Sequence, residues 1–204
     1  MEKINIKQPK DYITENIIEE IILGNIEDGD ELVQEDIARV VGLSRMPVRE
    51  SLQILEWTGF AKKLPNRRVV AVAPTKKNIK STFRTLAFIE YSIIIQIIEE
   101  NKLSDLEKIM AEYIKSPSRR KEVEIHRYIS EILGVYPICN IHNQLLSGYF
   151  NYAVNNRERG VDSIKEQIIE IKKSFYGEKE SILSALNDYF KSLSEDMIEV
   201  GEYD

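Results

Sequence analysis

The stretch Gln34–Glu56, QEDIARVVGLSRMPVRESLQILE, constrains the fold most tightly. Ile37, Ala38 and Val41 share one face of a short helix, and Val48, Leu52 and Leu55 share one face of the next. Gly42 stands where a glycine ends a helix, and Ser44 is a good N-cap for the second. Pro47 falls in that second helix's first turn, where its missing N–H costs little. Leu43 alone separates the stop from the next start, so the two helices must turn sharply and bury their apolar faces together. This is a helix-turn-helix, whose second helix can enter a major groove.

The flanks extend the pattern. Ile13, Ile17, Ile21 and Leu23 predict a helix over 11–23, broken at Gly24 and Asp28-Gly29-Asp30. Phe60–Leu64 and Arg68–Val72 read as short strands around Pro65-Asn66-Arg67, a hairpin signal, and Pro74 closes the unit. After Thr75 the sequence predicts helices at 76–100, 103–115, 119–134, 138–156, 161–176 and 178–199. The expected fold is mainly α. A winged helix-turn-helix domain with a small β-hairpin wing spans 1–74, and an all-α helical bundle spans 75–204.

Charge qualifies the function. The 204-residue chain carries a net charge of −6, which excludes a wholly basic nucleic-acid coat protein. Yet residues 37–74 hold seven basic side chains against two acidic ones, net +5. Arg45 and Arg49 are four apart and share a helix face. Their guanidinium forks suit guanine edges or phosphates, and the helix N-terminus beside Ser44 favours a phosphate. The single cysteine, Cys139, excludes an internal disulfide and a Cys-rich zinc site; it reads as a small core residue. No apolar run follows Met1, and Ser92–Ile98 is far shorter than the ~20 residues of a membrane span, so a cytoplasmic protein is expected. No constellation of residues suggests catalysis.

Segment 30–72 resembles the winged-helix domain of GntR-type bacterial transcription regulators. Ile37-Ala38, Gly42-Leu43-Ser44-Arg45-Met46-Pro47-Val48-Arg49-Glu50-Ser51-Leu52, Leu55-Glu56 and Gly59-Phe60 carry the likeness. The helical second half resembles, more loosely, the FadR-like branch with its FCD effector domain. The resemblance implies DNA contacts at Arg39, Ser44, Arg45, Met46 and Arg49, and a wing tip, Asn66 to Arg68, that brings Arg67 and Arg68 to a minor groove. It implies a homodimer on double-stranded operator DNA, controlled by a small metabolite such as an organic acid. Met46 stands where the family usually has Thr, and Arg68 where the wing tip usually has Gly. The other reading of the chain is a winged-helix module for protein contact or dimerisation without ligand control.

Effector domains of this family often hold a divalent metal through an acid, a His four residues later and two further His. Glu122 and His126 match the first two positions. Gln167 and Tyr189 stand at the other two and are poor transition-metal ligands. The expectation is therefore an effector site at Glu122, His126, Gln167 and Tyr189 with no metal and no cofactor. His126 can equally be a buried imidazole paired with a nearby carboxylate. Tyr149, Phe150 and Tyr152 could line a pocket or pack the core. The acidic stretch Glu195–Asp204 reads as a frayed, solvated helix end.

Overall fold

The computed structural model describes residues 8–201. The expectations for the residues just after Met1 and for the last three residues of the acidic tail fall outside that range. The chain divides into two compact units, residues 1–75 and 76–204.

In the first unit, α1 (Pro9–Ile22), α2 (Gln34–Val41) and α3 (Arg45–Thr58) precede the strands β1 (Ala61–Lys63) and β2 (Val69–Ala71). Helix α1 starts two residues earlier than its apolar spacing predicts, because the Asp11 carboxylate caps the Gln8 N–H at 3.0 Å. Gly42 (φ 67°) and Gly59 (φ 86°) end α2 and α3 in the left-handed region, which costs glycine little. Val48, Leu52 and Leu55 are buried as expected, whereas on α2 only Ala38 is, with Ile37 and Val41 half-buried. Helix α3 packs on α1, where Thr14 and Ser51 hydroxyls meet at 2.9 Å in the buried seam. The strands pair antiparallel with Lys62 opposite Val70, and Glu31 adds a one-residue bridge to Val70 that the sequence did not signal.

The second unit is all helical: α4 (Lys76–Glu99), α5 (Leu103–Lys115), α6 (Arg119–Leu133), α7 (Tyr136–Leu145), a π-helical turn (Leu146–Phe150), α8 (Asn151–Asn156), α9 (Val161–Ser174) and α10 (Lys179–Val200). The single helix expected over 138–156 is interrupted, because the backbone leaves helical geometry at Gly148 (φ −89°, ψ −120°). Helix α4 is long and apolar enough by composition to cross a bilayer, with mean hydropathy 1.2. Ile79, Phe83, Leu86, Ala87, Ile93, Ile94 and Ile97 instead bury one face inside the bundle, with α10 as main partner. The expected frayed end is a correction. Helix α10 continues to Val200 and packs as far as Met197, with Asp196 held by Arg159 at 2.5 Å, while Glu199 and Val200 are exposed.

Candidate nucleic-acid interface and a buried polar cluster

The first unit presents the N-terminal end of α3 to solvent. Ser44 occupies the N-cap position with extended backbone, and its side chain makes no capping bond. Arg45, Met46 and Arg49 are exposed on the turns that follow, and no acidic residue lies in the first turn. The amide N–H groups there remain aimed outward, the arrangement that attracts a phosphate.

Acidic side chains upstream alter the charge of this face. Arg45 pairs with Glu35 at 2.8 Å, Arg39 with Asp36 at 3.0 Å, and Arg68 with Glu31. Gln34 Nε2 donates to the Arg45 carbonyl at 2.8 Å, and Arg49 approaches the Met46 sulfur at 3.2 Å. Counting from Glu31 rather than Ile37 adds three carboxylates and cuts the local charge to +2. The hydrogen bond from Arg68 holds the Glu31 carboxyl below its usual range. All three pairs are exposed, so each is worth little and yields to a stronger anion or to salt.

Backbone geometry singles out Arg67 at the wing tip. Arg67, not Arg68, adopts the left-handed conformation (φ 66°) that a glycine would take without strain. Its N–H bonds to the Leu64 carbonyl at 2.9 Å, while Arg68 N–H bonds to Asn66 Oδ1 at 3.1 Å. The Arg68 guanidinium turns back onto Glu31, with Nε to Oε2 at 2.7 Å. Arg67 is thus the strained basic residue of the tip.

Residues 9–70 match the family of bacterial regulatory proteins described as the gntR family. This unit is similar to the gntR-family domain over those residues. No curated protein matches the chain. Solved structures share its fold from end to end. The Listeria monocytogenes protein Lar, described as controlling expression of the agr system and mediating virulence, is 16% identical at TM-score 0.64, covering 95% of this chain and 98% of Lar. Escherichia coli McbR/YncC is 14% identical at TM-score 0.55, over 95% and 99% of the two chains. A Rhodococcus sp. RHA1 protein described as a putative GntR transcriptional regulator is 16% identical at TM-score 0.52, over 96% and 99%. These likenesses show the fold alone.

Unit 2 buries a polar cluster on five segments. Glu122 (α6) accepts the Arg157 guanidinium through both oxygens, at 2.7 and 2.6 Å, and the Tyr189 hydroxyl (α10) at 2.7 Å. Glu90 (α4) lies 2.8 and 2.9 Å from His126 Nδ1 (α6) and 3.0 Å from His142 Nε2 (α7). The His126 ring stacks on Tyr189 at 4.9 Å and meets the edge of Phe150 at 4.8 Å. All six polar side chains are at most 2% exposed. Burial works to raise the Glu90 carboxyl, but the two imidazoles beside it outweigh burial and hold it below its usual range. Burial, and then the neighbouring Glu122, pushes the Tyr189 phenol well above its usual range.

Of the four residues expected at this site, the structure brings three together. Glu122 and Tyr189 bond directly, and His126 stacks on Tyr189 while facing Glu90. Gln167 lies half-buried on α9, its Oε1 without a hydrogen-bond partner. Glu90, His142 and Arg157 complete the cluster and were not anticipated. Glu90 left a signal: it interrupts the apolar stripe Phe83, Leu86, Ala87, Ile93, Ile94, Ile97 of α4 at a core position. Arg157 left none, because it follows α8 in a polar connection. Elsewhere, Tyr149 and Phe150 are buried, and Cys139 is half-buried with its sulfur 3.1 Å from the Ser130 carbonyl.

Proposed function

We propose that the chain is a DNA-binding transcription regulator that reads operator DNA with the N-terminal half of α3 and responds to a small metabolite through unit 2. The carrying observation is the outward-facing start of α3, with Arg45 and Arg49 exposed inside a domain that matches the gntR family. Arg39, Ser44 and Met46 flank that surface, and Arg67 and Arg68 supply the wing. Duplex binding by this face is expected to weaken steeply with added salt, as released counterions dictate. A titration of the full chain with duplex DNA at two salt concentrations checks it. Affinity indifferent to salt would favour the protein-contact reading, to which the exposed Val40, Leu43 and Trp57 of unit 1 lend themselves.

The all-helical unit 2 is read as an FCD-type effector domain and as the dimeriser. Two recognition helices are needed to read successive half-sites. Phe88 on α4 and Tyr136 and Ile141 on α7 are exposed apolar side chains that a homodimer would cover. A polar effector of the organic-acid class is supported by buried atoms that lack a partner: His126 Nε2, His142 Nδ1 and the Tyr113 hydroxyl. Its binding would bias the spacing of the paired recognition helices.

A further inference from the structure

We propose that Arg157 is the resident cation of unit 2, its guanidinium occupying on Glu122 the place that the resemblance gives to a divalent metal, so that the domain is assembled without one. This does not rest on the DNA-binding reading. The fork-to-fork geometry engages both Glu122 oxygens, and neither side chain is exposed at all. Tyr189 adds a second donor to Oε1. A metal bound to either oxygen would stand against a fixed positive charge in a dry interior, where like charges repel strongly.

The rest of the donor set does not fit a metal either. The Tyr189 phenol spends its proton on Glu122 and stays neutral. Gln167 offers a neutral amide, and His126 and His142 each commit one ring nitrogen to Glu90, leaving His126 Nε2 and His142 Nδ1; among the described residues no group of three or more His, Cys, Asp or Glu is placed to hold an ion. The charge of Glu122 is already cancelled by Arg157, and both Glu90 oxygens lie against ring nitrogens of His126 or His142. A dication placed here would have to displace these partners to reach a carboxylate oxygen.

Arg157 is also built in from its own side of the fold. It caps the end of α8, where the backbone turns out of the helix (φ −59°, ψ 146°). Arg119, the first residue of α6, donates to the Asn155 carbonyl at 2.5 Å and to the Arg157 carbonyl at 2.8 Å. Three residues further along α6, Glu122 takes the guanidinium. The first turn of α6 thus grips this connection by backbone and side chain, and Tyr189 ties α10 to the same carboxylate. The fork joins three segments, as a shared metal would.

The test uses the full chain purified without added metal. The expected results are well under one equivalent of zinc, nickel or manganese, and a melting temperature unchanged by EDTA or by excess Zn²⁺. Arg157→Met should lower the melting temperature on the order of 10 °C, since it strands a buried carboxylate. The double variant Glu122→Leu/Arg157→Met, which leaves no stranded charge, should recover at least half of that loss, and it remains measurable if the single variant fails to fold. Near one equivalent of bound metal with a fall on chelation would overturn the proposal. So would an Arg157→Met variant as stable as the parent, or a double variant no better than the single.

Discussion

At the scale of single residues, three arginines of the proposed nucleic-acid face, Arg39, Arg45 and Arg68, pair with neighbouring carboxylates. Arg49 approaches only the Met46 sulfur, so its fork is the readiest to meet a base. Arg49→Ala is expected to cost about 1–3 kcal/mol of specific duplex affinity, the worth of one good base contact. Its melting temperature should match the parent's, because an exposed Arg is not core; anisotropy titration and a thermal melt check both. Glu35→Gln frees Arg45 from its 2.8 Å partner and should tighten duplex binding at low salt, with the gain fading as salt screens the face. A Glu35→Gln variant that bound more weakly would make Glu35 a positioning residue rather than a restraint. Arg67→Gly relieves a left-handed backbone that costs a non-glycine residue about 1 kcal/mol or more, so it should raise stability while weakening DNA binding. A melt and a titration of one variant separate these effects.

At the scale of elements, legibility followed periodicity. Helices α2 and α3 stand where the apolar spacing and Gly42 place them, because the glycine stop and the burial of Val48, Leu52 and Leu55 are local, while Ser44 holds the N-cap position without a side-chain bond. The strands proper are three residues each, but backbone hydrogen bonds from Leu64 N–H to the Arg68 carbonyl at 2.8 Å and from Val72 N–H to the Phe60 carbonyl at 2.9 Å carry the pairing out to the ends that the sequence predicts. The break at Gly148 was hidden because the residues around it, Leu146, Tyr149 and Phe150, continue an apolar pattern. The buried cluster was only half legible. Glu122 and His126 share one helix face four residues apart, a relation that sequence shows directly. Their partners Glu90, His142 and Arg157 come from three other segments, and only the tertiary fold brings them within bonding distance. Glu90 makes this arrangement sensitive to acid. Its carboxyl sits below the usual 4.5, so the folded state binds its proton less readily than the unfolded state does. The stability it contributes is therefore present above the unfolded value and is lost as pH falls through the lowered one. Melting curves of the parent and of Glu90→Gln should differ most above pH 4.5 and converge in stronger acid. A gap that persisted unchanged at the lowest pH would contradict the ionised assignment.

At the scale of the whole molecule, a unit similar to the gntR-family domain and an all-helical unit are joined in one chain. A single α3 reads only a few base pairs, so operator recognition asks for two copies. The exposed Phe88, Tyr136 and Ile141 of unit 2 offer apolar area for pairing. Sedimentation of the full chain at micromolar concentration should give a dimer, and Ile141→Glu should shift it toward monomer. Operator recognition by α3 is the central claim, and selection of genomic fragments by the intact protein tests it most directly, with an Arg45→Ala/Arg49→Ala variant run alongside. If α3 reads operator DNA, the parent enriches duplexes carrying two-fold-related half-sites and the variant, equally folded, does not. Equal enrichment by both proteins, or none by the parent, would contradict it.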